Sequence, residues 1–196
     1  MTAIFSAALR TALLATAFAA PGAFAAWTLD GERSTVQFIS VKNASVAEVH
    51  HFKALRGGVS DEGAASVSID LDSVETMIPI RNQRMREMLF ETVRFPAAEL
   101  SAKVPGDLEA MAAGETRQVD LEVTIDVHGA SAPYMAKTMV TRLADGSLQV
   151  MLAEPIMVKA ADFGLDGGIE MLREVAGLKT ISTAVPVDAT LVFTPE

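Results

Sequence analysis

The stretch Val119-Asp120-Leu121-Glu122-Val123-Thr124-Ile125-Asp126-Val127-His128 places its apolar side chains at odd numbers and its polar ones at even numbers. Successive side chains of a β-strand point to opposite faces, so this segment is a strand with one face turned from water and one turned to it. The alternation returns at Val67, Ile69 and Leu71, at Leu148, Val150 and Leu152, and at Val185, Val187, Ala189, Leu191 and Phe193. Little helical pattern is available to cover these apolar faces, so the strands must cover one another as a barrel or a sandwich. In a closed barrel the apolar faces line the inside, and what fills that inside becomes the question about function.

Turn signals divide the chain at intervals typical of antiparallel strands: Asp30-Gly31, Arg56-Gly57-Gly58, Asp61-Glu62-Gly63, Pro105-Gly106, Ala144-Asp145-Gly146 and Asp166-Gly167-Gly168. The pair around Asp145-Gly146 is the clearest hairpin. Two segments depart from the strand rhythm. Ile80 to Glu91, with Met85, Met88 and Leu89 at helical spacing, predicts a short helix, and Ile169, Leu172, Val175 and Ala176 form a second apolar stripe after Gly167-Gly168. These helices either plug the ends of a barrel or form a lid over a cavity mouth. The abundant methionines read mainly as core filling.

Arg10 is the only charge before Asp30, Thr11 to Ala20 is an apolar run, and Ala23-Phe24-Ala25 has the small-x-small form of a signal-peptidase site. Residues 1–25 therefore read as a removed export signal, which predicts a periplasmic protein. The run is shorter than the ~20 residues of a spanning helix, and no cysteine follows the cleavage site to carry a lipid, so no stable membrane anchor is expected. Residues 26–196 have a length suited to one domain with a sizeable core. The absence of cysteine removes disulfides, thiolate metal sites and thiol nucleophiles together. Without the signal, 15 basic residues stand against 25 acidic ones, a formal charge of −10 that makes nucleic acid a poor partner. The sequence leaves a homodimer open.

Several short motifs follow in order: Trp27-Thr28-Leu29-Asp30; Ser34-Thr35-Val36-Gln37-Phe38, running on to Phe52 and Gly57; and Arg81-Asn82-Gln83-Arg84-Met85-Arg86, followed by Leu89-Phe90 and Phe95-Pro96. Next come Val123-Thr124-Ile125 with His128-Gly129 and Pro133, and finally Asp162-Phe163-Gly164-Leu165. This succession resembles the YceI family of exported bacterial proteins, over almost all of the chain from Trp27 to Phe193. The resemblance implies an all-β, lipocalin-like, eight-stranded antiparallel barrel with short flanking helices and an elongated apolar cavity. It also implies binding of a polyisoprenoid or other long-chain amphiphilic lipid. The chain departs from the family pattern at Asn82, where an acidic residue is typical, at Arg84, where histidine is common, at Ala132 before Pro133, and at Lys159-Ala160-Ala161 before Asp162.

A binding protein of this kind needs an apolar cavity and one or two polar groups to hold a head group. The expected ligand-binding residues are Val36, Phe38, Phe52, Ile69, Leu89, Phe90, Leu121, Val123, Ile125, Phe163 and Leu191, with Val67, Val187 and Phe193 as further lining. Arg81 and Arg84, together with Arg86, are the expected head-group contacts, because guanidinium groups suit a phosphate or carboxylate. The material for catalysis is thin. Histidine occurs only at His50, His51 and His128, adjacent strand residues point to opposite faces, and no Gly-x-Ser-x-Gly elbow or Gly-rich phosphate loop is present. His128 beside Gly129 reads as a strand-end residue whose ring bonds a turn. The expectation is a periplasmic carrier of a polyisoprenoid, quinone-like or fatty-acyl lipid, with no catalytic residue, metal or cofactor. A filled barrel serving as an interaction or stress-related module is the alternative.

Overall fold

The computed structural model describes residues 25–196, so the expected export signal lies outside the described residues apart from Ala25. The strands are β1 (Ala25–Leu29), β2 (Thr35–Lys42), β3 (Val46–Phe52), β4 (Leu55–Ser60), β5 (Ala64–Asp70), β6 (Val74–Glu75), β7 (Ala97–Lys103), β8 (Thr116–Val127), β9 (Ala130–Arg142), β10 (Leu148–Leu152), β11 (Ile156–Lys159) and β12 (Ala184–Pro195). They form an eight-stranded closed antiparallel barrel.

The long strand β12 explains how twelve segments make eight staves. One of its edges pairs with β1 at residues 193–195 and with β2 at residues 187–190. The other pairs with β10 at residues 190–193 and with β11 at residues 184–187. Successive strands β1 and β2 thus share one stave, as do β10 and β11, while β3 and β4 share the stave that pairs with β2 and β1. Strands β5, β7, β8 and β9 complete the ring, and the β1–β12 pairing removes the free edge that an open sheet would expose.

The longest hairpin joins β8 and β9. Val127 lies opposite Ala130, so His128 and Gly129 are the whole loop, and both have positive φ, 56° and 78°. Two successive residues in that region are what a two-residue hairpin matching the right-handed twist of its strands requires. The expected Asp145-Gly146 hairpin also forms, joining β9 to β10 with Leu148 opposite Arg142. The turn expected at Arg56-Gly57-Gly58 does not form; both glycines lie within β4. A Cβ on Gly57 would stand 2.2 Å from the Ser66 carbonyl oxygen, so the glycine permits a close approach of β4 to β5.

Helix α1 (Pro79–Arg84) opens on a proline and continues as a π-helical turn, Met85–Leu89. Met85 and Phe90 are buried from this segment into the barrel core. Helix α2 (Asp166–Val175) carries Gly167-Gly168 in its first turn, and Ile169 and Leu172 are its inward contacts. A Cβ on Gly168 would lie 2.7 Å from the Met88 carbonyl oxygen and 2.9 Å from the Leu89 Cα, so glycine lets α2 rest directly on the π-helical turn. These elements cover one end of the barrel. The other end is closed by a 3₁₀ turn, Gly106–Ala110, whose Leu108 packs with Met111 against Trp27.

The reading of the methionines as core filling is corrected for five of the nine among the described residues. Met85 and Met111 are buried, but Met77, Met135, Met151, Met157 and Met171 are exposed. Among the described residues, no helix is long and apolar enough to cross a membrane.

Candidate ligand-binding cavity

The inward faces of the strands do not meet at the barrel axis. They leave a cavity of about 370 Å³, within the range of roughly 300–1,000 Å³ typical of small-molecule sites. Val36, Phe38, Phe52, Ile69, Leu89, Phe90, Leu121, Val123, Ile125, Phe163 and Leu191 all line it, as do Val67, Val187 and Phe193. Each comes from the apolar phase of an alternating strand or from the covering helical segments. Polar lining groups concentrate at the Trp27 end, where Ser60, Asp61, Glu62 and Glu109 form the rim, whereas Leu89, Phe90 and Ile169 make the helical end apolar.

Arg81 and Arg84, expected as head-group contacts, do not line the cavity. Arg81 donates from Nη1 to Glu48 at 2.8 Å and from Nη2 to the Thr76 carbonyl at 2.6 Å. Glu48 also meets Lys42 at 2.6 Å, and the Lys42 hydrogen bond, with that of Arg81, holds its carboxyl below the usual carboxylate range. This network ties α1 to the β2–β3 hairpin. Arg86 turns to the Asp72 carbonyl at 3.3 Å. Asn82 is buried and accepts from the Thr76 backbone N–H at 2.9 Å while its Nδ2 donates to Glu75 at 3.0 Å. It holds the entry to α1.

His50 and His51 point to opposite faces, as adjacent strand residues must. His50 is buried with an edge-on contact to Phe38, and its Nε2 shares a 2.8 Å hydrogen bond with Ser40 Oγ. Its Nδ1 is buried without a partner, so no carboxylate orients the ring as in a nucleophile–base–acid set. Burial, reinforced by the charge of Arg81, pushes the His50 pKa down to about 4. His128 packs on Phe95 with ring centroids 4.3 Å apart, and its Nε2 donates to Glu91 at 3.3 Å, which matches the reading of a ring that secures a turn. Among the described residues, no three His, Asp or Glu side chains gather to hold a metal ion.

The motif Asp162-Phe163-Gly164-Leu165 closes the wall beside β9. Tyr134 donates to Asp162 at 2.6 Å, Gly164 takes a φ of 66°, and Phe163, 1% exposed, is driven into the interior. Sequence reasoning missed most of the inward face of β9. Ala136, Thr138 and Val140 are its buried lining and Met135 faces outward, so the larger apolar side chain marks the wrong side. It also missed Trp27 and Leu148 as lining, and Arg142, which continues the inward phase of β9.

An antiparallel barrel closed around an apolar cavity defines the lipocalin-like class. The chain belongs to the YceI-like domain family, whose sequence profile matches residues 27–193. It is similar to a polyisoprenoid binding domain from Saccharophagus degradans, implicated in plant cell wall breakdown, at 40% identity and TM-score 0.86, covering 88% of this chain and 100% of that one. BcnA of Burkholderia cenocepacia matches at 16% identity and TM-score 0.67, covering 85% of this chain and 99% of that one. The YCEI protein of Campylobacter jejuni matches at 14% identity and TM-score 0.50, covering 75% and 84%. The last two show the fold alone. No curated protein matches the chain.

Proposed function

We propose that this protein is a periplasmic carrier that takes a long-chain apolar molecule, a polyisoprenoid or a quinone-like or fatty-acyl lipid, into the barrel interior without transforming it. The observation that carries the reading is the cavity of about 370 Å³ walled mainly by apolar side chains from the strands and capped at one end by apolar side chains of the helical segments. The 40% identical relative described as a polyisoprenoid binding domain supports the same ligand class. The mechanism is sequestration. Each methylene moved from water into the barrel contributes roughly 0.8 kcal/mol, so tail length sets affinity until the cavity is full.

The test is uptake by protein stripped of lipid, measured with prenyl alcohols and fatty acids of increasing length. Affinity is expected to rise with each added carbon and then level off at the length that fills the cavity. An affinity independent of chain length contradicts the reading.

A further inference from the structure

Arg142 is the last residue of β9, two positions beyond Val140 on the face that carries buried Ala136, Thr138 and Val140. An arginine therefore stands on the inward phase of the barrel, at its Trp27 end. Its backbone is fixed there, donating to the Glu115 carbonyl at 2.9 Å and accepting from the Gly114 N–H at 2.8 Å. The guanidinium lies 4.8 Å from the centroid of the Trp27 ring, a cation–π stack that orients its plane. Its Nη1 is buried and has no hydrogen-bond partner among the described residues. Buried donors are nearly always paired, so a guanidinium fixed by stacking beside the recess, with one donor still unpaired, points to a group that arrives with a ligand.

The surroundings say which group. Arg142 and Trp27 share a polar recess with Asp61, Glu109 and Glu196, and Trp27, Asp61 and Glu109 also line the apolar cavity, so the two spaces are continuous. A phosphate or carboxylate entering here would meet three carboxylates for one guanidinium. An uncharged oxygen meets one strong, aimed donor without that repulsion. The opposite end, walled by Leu89, Phe90 and Ile169, offers the head no such group.

We propose that the ligand carries an uncharged oxygen head group, a hydroxyl or carbonyl, which enters the recess at the Trp27 end and accepts a hydrogen bond from the Arg142 guanidinium while the tail runs toward the helices. This assignment rests on the carrier reading above and adds the polarity of the ligand and its orientation.

Trp27 is the only tryptophan of the chain, so its fluorescence reports on this end of the barrel directly. Delipidated protein is titrated with three ligands sharing one twenty-carbon isoprenoid chain: the hydrocarbon, the primary alcohol and the diphosphate. The alcohol is expected to bind about tenfold tighter than either of the others, the scale of one hydrogen bond to a charged donor. In Arg142→Met the alcohol's advantage over the hydrocarbon collapses, and in Arg142→Lys, which keeps a donor and loses the planar stack, part of it survives. An advantage that persists in Arg142→Met, or a diphosphate that binds tightest, overturns the head-group assignment and leaves the carrier reading standing. Binding of none of the three removes the carrier reading and this assignment with it.

Discussion

Ala136 provides the sharpest perturbation of the barrel interior. It is 2% exposed, faces inward from β9 and lines the cavity. Replacing it with leucine adds three carbons to the lining. If those carbons enter open space, they leave water on folding without displacing neighbours, and each contributes roughly 0.8 kcal/mol, so the empty protein gains up to about 2 kcal/mol. The same carbons take the place of about three methylenes of a bound tail. That weakens binding by about 2.4 kcal/mol, roughly fiftyfold, for a ligand long enough to fill the cavity, and far less for a short one. In a filled core the sign reverses, because extra methylenes force strained rotamers and backbone shifts that cost about 1–3 kcal/mol. Urea unfolding of delipidated Ala136→Leu, paired with titration by a long and a short prenyl alcohol, reads both quantities. A lower unfolding midpoint with unchanged affinity would refute the cavity argument.

Three further predictions concern the elements that hold the cavity. His50 falls from its ordinary value of 6.5 to about 4 on folding, so below pH 6.5 the unfolded chain binds a proton that the folded one refuses. His50 alone therefore removes about 3 kcal/mol of stability between pH 6.5 and pH 4 and nothing further below it, and urea titrations between pH 6.5 and 5 should show a steeper decline in wild type than in His50→Gln. Glu75, held at about 2 by the Lys53 ammonium and by Asn82, adds its own loss from about pH 5 downward, in wild type and His50→Gln alike. Gly168→Ala should destabilise the protein by about 1–3 kcal/mol despite alanine's higher helix propensity, because its Cβ meets the Met88 carbonyl at 2.7 Å; hydrogen exchange should speed up across residues 166–175. Phe163→Ala should cost about 3–5 kcal/mol in urea unfolding, since the ring is 1% exposed and stacks beside Tyr134 in the wall.

The parts of the fold legible in the sequence are those where one face of a strand is uniformly apolar. Val119 to Val127 shows its inward side because the outward side is charged or hydroxylic, and Val185 to Phe193 shows it because every residue of the inward phase is apolar, although Pro186 and Val192 interrupt the polar side. β9 hides its phase. Its lining is Ala136, Thr138 and Val140 while Met135 is exposed, so hydrophobicity reads the outside as the inside. The glycines mislead in a related way: Gly57 and Gly168 serve close backbone approach rather than turns, and that need exists only once β5 and the Met85–Leu89 turn are in place. Arg81 resembled a head-group contact because its partner Glu48 lies 33 residues earlier, and only the β2–β3 pairing brings that carboxylate to it. Arg142 drew no attention for the opposite reason, since its inward position follows from a strand phase that composition conceals.

The measurement that bears most directly on the carrier account is native mass spectrometry of residues 26–196, purified in the absence of detergent, followed by organic extraction of whatever they hold. The account predicts one long-chain molecule per barrel with an uncharged oxygen head. A bare protein that also takes up no added isoprenoid or fatty acid would contradict it.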